Sequence, residues 1–239
     1  MLVRNPMNCH QVRKVSLAPQ DVDCIVFWTK DPAPMLDRLH LLKDYPYYFQ
    51  FTLTPYGNDI EPNLSSKSEI SDTFLRVSDK VGNKRIIWRY DPIILSASIN
   101  NDYHRDHFHD LARQLSGYTQ KCIISFLDMY RRIQSRMHHH SVRPPDDAEM
   151  RALAEQLAQI AGSYGMNVAT CAEKIDLTNL GIEHGKCIDD HLISELTGRK
   201  LNIAKDKNQR EVCGCVASVD IGEYNTCRHG CRYCYANVS

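Results

Sequence analysis

Cys227, Cys231 and Cys234 fall in one short run, Cys227-Arg228-His229-Gly230-Cys231-Arg232-Tyr233-Cys234, with C-x3-C-x2-C spacing. Three thiolates on one loop can hold three irons of a four-iron cubane and leave the fourth iron open to another ligand. Structural zinc sites instead use four protein ligands, commonly in paired C-x2-C knuckles. The spacing therefore points to a [4Fe-4S] cluster.

The chain carries ten cysteines in 239 residues. In a reducing compartment such a number argues for metal ligation rather than disulfides. Cys24 and Cys122 lie in apolar stretches and read as small core residues. Cys9, in a polar N-terminal segment, reads as a bystander or a ligand. Cys171, Cys187, Cys213 and Cys215 form a second candidate set. Cys213-Gly214-Cys215 is a tight C-x-C, and Cys187 follows the glycine-containing His184-Gly185-Lys186. Four thiolates suit a second cubane or a tetrahedral zinc, and iron–sulfur is preferred beside a cluster already implied. His138-His139-His140 reads as a solvated polar loop.

These residues need a scaffold to position them, and the chain supplies short β-rich runs alternating with amphipathic helical stretches. Strands are expected at 23–28 (buried), 47–53, 84–90, 121–127, 166–170 and 216–221. Helices are expected at 32–44, 68–81, 102–115, 146–164 and 188–196, the fourth with Asp146-Asp147 at its positive N-terminus. A loop rich in Arg, His and Pro from 130 to 145 is the expected mobile excursion. Alternation of this kind predicts a parallel sheet with βαβ crossovers. Six units fall short of the eight of a closed barrel, which takes about 250 residues. The expected fold is thus α/β, a parallel (βα)n partial or circularly permuted TIM-like barrel. Residues 1–239 form one domain, with 213–239 a cysteine segment inside it.

In such folds the chemistry gathers at the C-terminal ends of the strands. Those ends hold Lys30, Arg89, Asp91, Asp128, Glu173 and Lys174. Lys30, Asp91, Asp128 and Glu173 are the candidate catalytic residues. Lys30 and Lys174 suit an anionic substrate or proton donation. Asp91 and Glu173 suit ribose hydroxyls, and Arg89 suits a carboxylate or phosphate gripped by its fork.

The net charge is zero and 43% of residues are hydrophobic. That composition supports a buried core and gives no strong sign of nucleic-acid binding. No apolar run reaches 18 residues, so no membrane partner is expected, and a soluble cytoplasmic protein is.

The three-cysteine spacing, with an aromatic just before the last Cys, resembles the signature of radical S-adenosylmethionine (SAM) enzymes. The resemblance implies that the open iron chelates SAM, that Tyr233 lies near the adenine, and that Arg89 and Lys174 help hold the cofactor. It also implies a reductant such as a flavodoxin or ferredoxin, and SAM cleavage to a 5'-deoxyadenosyl radical acting on an unknown substrate. Further stretches widen the likeness. They are Leu2-Val3-Arg4-Asn5-Pro6, Phe27-Trp28-Thr29-Lys30-Asp31-Pro32, Phe51-Thr52-Leu53-Thr54-Pro55-Tyr56, Trp88-Arg89-Tyr90-Asp91-Pro92, Cys171-Ala172-Glu173-Lys174, Lys205-Asp206-Lys207-Asn208-Gln209-Arg210 and residues 213–237. On these, nearly the whole chain resembles the DUF1848 family, whose cysteine cluster is C-terminal where radical SAM enzymes carry theirs near the N-terminus. That order implies a permuted barrel, with the strand at 216–221 beside the first strand. Two departures accompany the likeness. A Gly-Gly-Glu motif for the SAM amino group is absent, since Gly222-Glu223 precedes the cysteines. Family members also extend beyond both ends, which implies a shortened chain here. Two other functions compete with the enzyme: a non-catalytic iron–sulfur electron carrier or redox sensor, and a zinc-stabilised interaction scaffold, for which His229 is an extra candidate ligand although it reads first as a polar spacer.

Overall fold

A computed structural model describes residues 1–5 and 8–237. Two short N-terminal strands, β1 (Leu2–Asn5) and β2 (Asn8–Lys14), pair antiparallel as a separate ribbon that the alternation in the sequence does not announce. The Cys9 side chain lies outside the described residues.

The main sheet has six parallel strands: β3 (Ile25–Thr29), β4 (Tyr47–Thr52), β5 (Ile86–Ile93), β6 (Lys121–Phe126), β7 (Asn167–Thr170) and β8 (Glu183–His184). Their spatial order is their chain order. Each crossover therefore steps one strand onward in the same direction, as in a barrel segment, and the order never reverses as it does in doubly wound folds. Among the described residues β3 and β8 are edges and do not pair with each other.

The strand period of two sorts the side chains. Phe49, Phe51, Trp88, Tyr90, Cys122 and Ile124 face one side and pack with the helices α1 (Lys67–Val81), α2 (Asn101–Leu115) and α4 (Asp147–Ser163). Between α2 and α4 lies the short α3 (Gln134–His139). The capping boxes Ser66/Glu69 and Asp146/Glu149 start α1 and α4, and the Asn100 side chain caps α2. Tyr48, Ile87 and Ile123 face the other side. There they meet no helical layer but the segment 187–217, with α5 (Asp190–Thr197) within it. Among the described residues no helix is long and apolar enough to cross a membrane.

Four expectations change. Residues 216–221 are not a strand, and Val216 makes one isolated antiparallel bridge to Lys205. Only Val216 of that run is buried, while Val219 and Ile221 are exposed; a short apolar run does not make a strand without an edge to join. The last strand is instead the two-residue β8. The first strand is an edge rather than a buried strand, so Trp28 is 54% exposed. The expected helix after it winds as a 3-10 helix over Ala33–Leu42, with Pro34 removing a donor from its first turn. Finally, 130–145 packs down: Ile133, Met137 and Val142 are buried around α3.

Candidate functional site: two groups of thiols

The loop bearing Cys227, Cys231 and Cys234 lies over the C-terminal ends of β4, β5 and β6. Its floor is an apolar cluster of Tyr56, Ile60, Ile94, Ile133 and Met137, into which Cys231 and Tyr233 are buried. The loop is tied down through its backbone. Asn63 Nδ2 donates to the Arg228 carbonyl at 3.0 Å and Asn63 N to the His229 carbonyl at 3.2 Å. Asn237 Nδ2 donates to the Cys227 carbonyl at 2.7 Å, and Arg136 of α3 to the Cys234 carbonyl at 2.9 Å. Arg232 N donates to the Ile60 carbonyl at 2.9 Å. Gly230 has φ 65°, a left-handed turn suited to glycine, and packs beside Asn63. Cys227 stays exposed and Cys234 half-buried. Burial pushes the Cys231 thiol up to about 11, against the pull of the Lys30 cation.

Beneath Cys231 sits Glu61, whose side chain is fully buried. Its carboxylate accepts from Lys30 Nζ at 2.7 Å and Thr54 Oγ1 at 2.8 Å, and from Lys67 Nζ and the Tyr233 hydroxyl. Lys30 Nζ also stands 5.4 Å from the Tyr233 ring centroid. Burial alone raises the Glu61 carboxyl, but the two lysines outweigh it and hold it at about 2. Glu61 thus fastens strand ends, α1 and the cysteine loop together. Nothing in its spacing singles it out, because its four partners come from positions 30, 54, 67 and 233.

The second group forms on the face of the sheet covered by the segment bearing α5. Cys171 Sγ lies 3.3 Å from Cys187 Sγ. Cys187 also contacts Cys215, which in turn contacts Cys213. Backbone N–H groups of Cys187 and Ile188 donate to Cys215 Sγ at 3.2 and 3.4 Å. Arg89 Nη1 donates to Cys187 Sγ at 2.7 Å, while its other nitrogens hold Asp91. The Cys187 contact and those N–H donors lower the Cys215 thiol to about 5. Cys171 falls to about 7, through Cys187 against burial and with help from Arg89. Ala172 at φ 53° turns the chain sharply after Cys171. Gly185 lets the chain before Cys187 press on β7, its N–H donating to the Thr170 carbonyl at 2.7 Å.

The remaining candidates sort by place. Lys30 and Tyr233 belong to the first group, and Arg89 to the second. Asp91 affects both, acting electrostatically on Tyr56 under the first and on Cys171 in the second. Glu173 accepts from Ser125 Oγ at 2.9 Å and Phe126 N at 2.8 Å, and burial raises its carboxyl. Asp128 pairs with Arg210 on the rim. Lys174 is exposed and enters neither group. Cys122 is buried in the helix-side core, and Cys24 packs half-buried. His138 and His139 are exposed, but they lie in the last turn of α3 rather than in a loop.

Among the described residues no three His, Cys, Asp or Glu side chains converge as one metal ion needs. A single tetrahedral zinc draws its sulfurs to about 3.8 Å apart around one centre, from Zn–S bonds of about 2.3 Å. A cubane gives each thiolate its own iron and spreads the sulfurs across a cluster, wider than the 3.3 Å between Cys171 and Cys187.

Fold and site define an α/β protein whose parallel sheet carries two gatherings of cysteine. The family model described as "Domain of unknown function (DUF1848)" matches residues 1–236, and the chain belongs to that family. A search of curated proteins finds no match.

Proposed function

We propose that the protein is a radical SAM-like enzyme of the partial-barrel type, with a [4Fe-4S] cluster held by Cys227, Cys231 and Cys234. The observation that carries this reading is the loop itself. Three thiols stand at C-x3-C-x2-C spacing on a loop whose Cys227 and Cys234 carbonyls are held by Asn237 and Arg136, and whose Arg228 carbonyl is held by Asn63. The loop is held at the end of the sheet where parallel α/β folds do their chemistry. The donor set fits a cluster with one iron unligated by protein. When bound, such a cluster supplies the electron that cleaves SAM.

The protein's own residues do the positioning. Glu61 anchors the Tyr233 hydroxyl and sets the tilt of the segment between Cys231 and Cys234. Lys30 and Lys67 neutralise Glu61 and leave one net positive charge under the loop, which favours an anionic group there. Asp91 and Glu173, at strand ends, are the carboxylates offered to substrate or ribose hydroxyls, and Asp128 with Arg210 forms the rim. Arg89 is committed to Asp91 and Cys187. Cofactor binding by Arg89 therefore requires it to leave them, and Lys174 is the freer cation.

The test is anaerobic reconstitution with iron and sulfide, reduction, addition of SAM, and chromatography for 5'-deoxyadenosine. Cleavage that disappears in Cys231→Ser supports the enzyme. A reducible cluster that leaves SAM intact would make the protein an electron carrier or redox sensor, served by a flavodoxin or ferredoxin. A colourless zinc-bearing protein would make it a scaffold.

A further inference from the structure

Cys171, Cys187, Cys213 and Cys215 come from three stretches: the end of β7, the loop after β8, and the C-x-C turn. Chain proximity brings together only the last two, so the fold itself gathers the set. The C-x-C turn is docked by Asp206 N to the Cys215 carbonyl at 3.0 Å and Val216 N to the Ile188 carbonyl at 3.2 Å. Around the sulfurs stand Tyr48, Ile87, Ile123 and Ile193, an apolar wall that shields the group from water.

Within that wall is a full positive charge. The Arg89 side chain is 6% exposed. Asp91 answers part of it, and the nitrogen turned inward has Gln50 Oε1 at 3.4 Å and Cys187 Sγ at 2.7 Å. A neutral thiol is a weak acceptor, so a guanidinium placed against Cys187 in an apolar pocket calls for negative charge shared within the group of sulfurs. Two backbone N–H groups on Cys215 Sγ make the same demand. Metal-bound thiolates meet it, and N–H donors to sulfur are a means by which proteins tune iron–sulfur clusters.

We infer that Cys171, Cys187, Cys213 and Cys215 ligate a second [4Fe-4S] cluster on the face of the sheet covered by the segment bearing α5, with Arg89 as its fixed counter-cation. This centre stands on its own residues and does not depend on the first. Four ligands leave no iron open, so its role is electron transfer, not SAM binding. Asp91, paired with Arg89, stands beside this centre. Insertion parts the 3.3 Å contact between Cys171 and Cys187 and releases the thiol protons as each sulfur bonds to iron.

The experiment uses the full chain with the first centre removed, C227S/C231S/C234S. It is reconstituted anaerobically with ferric iron, sulfide and dithiothreitol, the dithiol supplying the electrons that bring the irons to mixed valence. The expected result is about four irons and four sulfides per chain, both lost on adding Cys187→Ser while the far-UV circular dichroism stays unchanged. Iron without sulfide, a single zinc, or no metal overturns the inference. If the triple variant does not fold, the same count is made on the native chain. About eight irons falling to about four in Cys187→Ser sustains the inference, and about four unaffected by it overturns it. SAM cleavage by the Cys187→Ser protein reads the first centre separately. Arg89→Gln, which deletes the counter-cation, lowers the reduction potential of the second centre without changing iron content; an unchanged potential removes Arg89 from its role.

Discussion

Replacing Glu61 by Gln keeps the shape of the side chain and deletes the charge that joins Lys30, Lys67 and Tyr233. The size of the effect follows from the carboxyl itself. It lies at about 2 in the folded chain against an ordinary 4.5. At roughly 1.4 kcal/mol per unit, that difference is worth about 3 kcal/mol, and the side chain is buried enough to need no discount for solvent. In a chain of this length the loss lowers the melting temperature by roughly 6–12 °C. Because the folded value is depressed, the contribution is complete above pH 4.5 and disappears as pH falls toward 2. The gap between native and Glu61→Gln proteins is therefore full at pH 7 and falls to roughly half or less near pH 3. Urea unfolding at a series of pH values, on reduced metal-free protein, measures it. A gap under about 0.5 kcal/mol at pH 7, or one of equal size at both pH values, would refute the ion network as the anchor of the cysteine loop.

Other perturbations have equally definite outcomes. His104 is buried between the Tyr90 hydroxyl and the Ile94 carbonyl, each at 2.8 Å, and burial lowers it from 6.5 to about 4. Its contribution, up to about 3 kcal/mol, is present above pH 6.5 and lost as pH falls through 4, and His104→Gln should flatten that part of the stability profile. Gly185→Ala places a Cβ 2.9 Å from the Thr170 carbonyl oxygen and 3.1 Å from the Ala169 Cβ. Equilibrium unfolding should show a loss of about 1–3 kcal/mol, since the obstacles are backbone and a strand residue. Asn237→Ala removes the bond to the Cys227 carbonyl. It should cost about 1 kcal/mol and speed hydrogen exchange across 225–236 while leaving α4 unchanged, and unaltered exchange would show the loop to be held otherwise.

Much of the architecture is legible in the chain because helices and central strands announce themselves by period and caps. Tyr47–Thr52, Ile86–Ile93 and Lys121–Phe126 are runs of buried residues on both faces, as parallel strands require. Asp146-Asp147 mark a helix start, and Asp146 is its cap. The end of the sheet is less legible. Val216–Ile221 has the composition of a strand and no edge to join, whereas Glu183–His184 joins an edge with no strand-like composition. Cys171, Cys187, Cys213 and Cys215 could be proposed as a set from residue type, and their contacts bring them together. The floor of the first group was hidden because Ile133 and Met137 sit in a segment dominated by Arg and His. Glu61 was hidden because its meaning lies in partners far away in sequence.

The central claim is an iron open to SAM above Glu61 and Tyr233. The most direct measurement is electron paramagnetic resonance of the reduced, reconstituted C187S protein, with and without SAM. In this variant the second centre is removed and only the Cys227–Cys234 loop can respond. A cubane signal that shifts when SAM is added is the predicted result. A cubane signal indifferent to SAM, or no cubane signal in a folded protein, would contradict it.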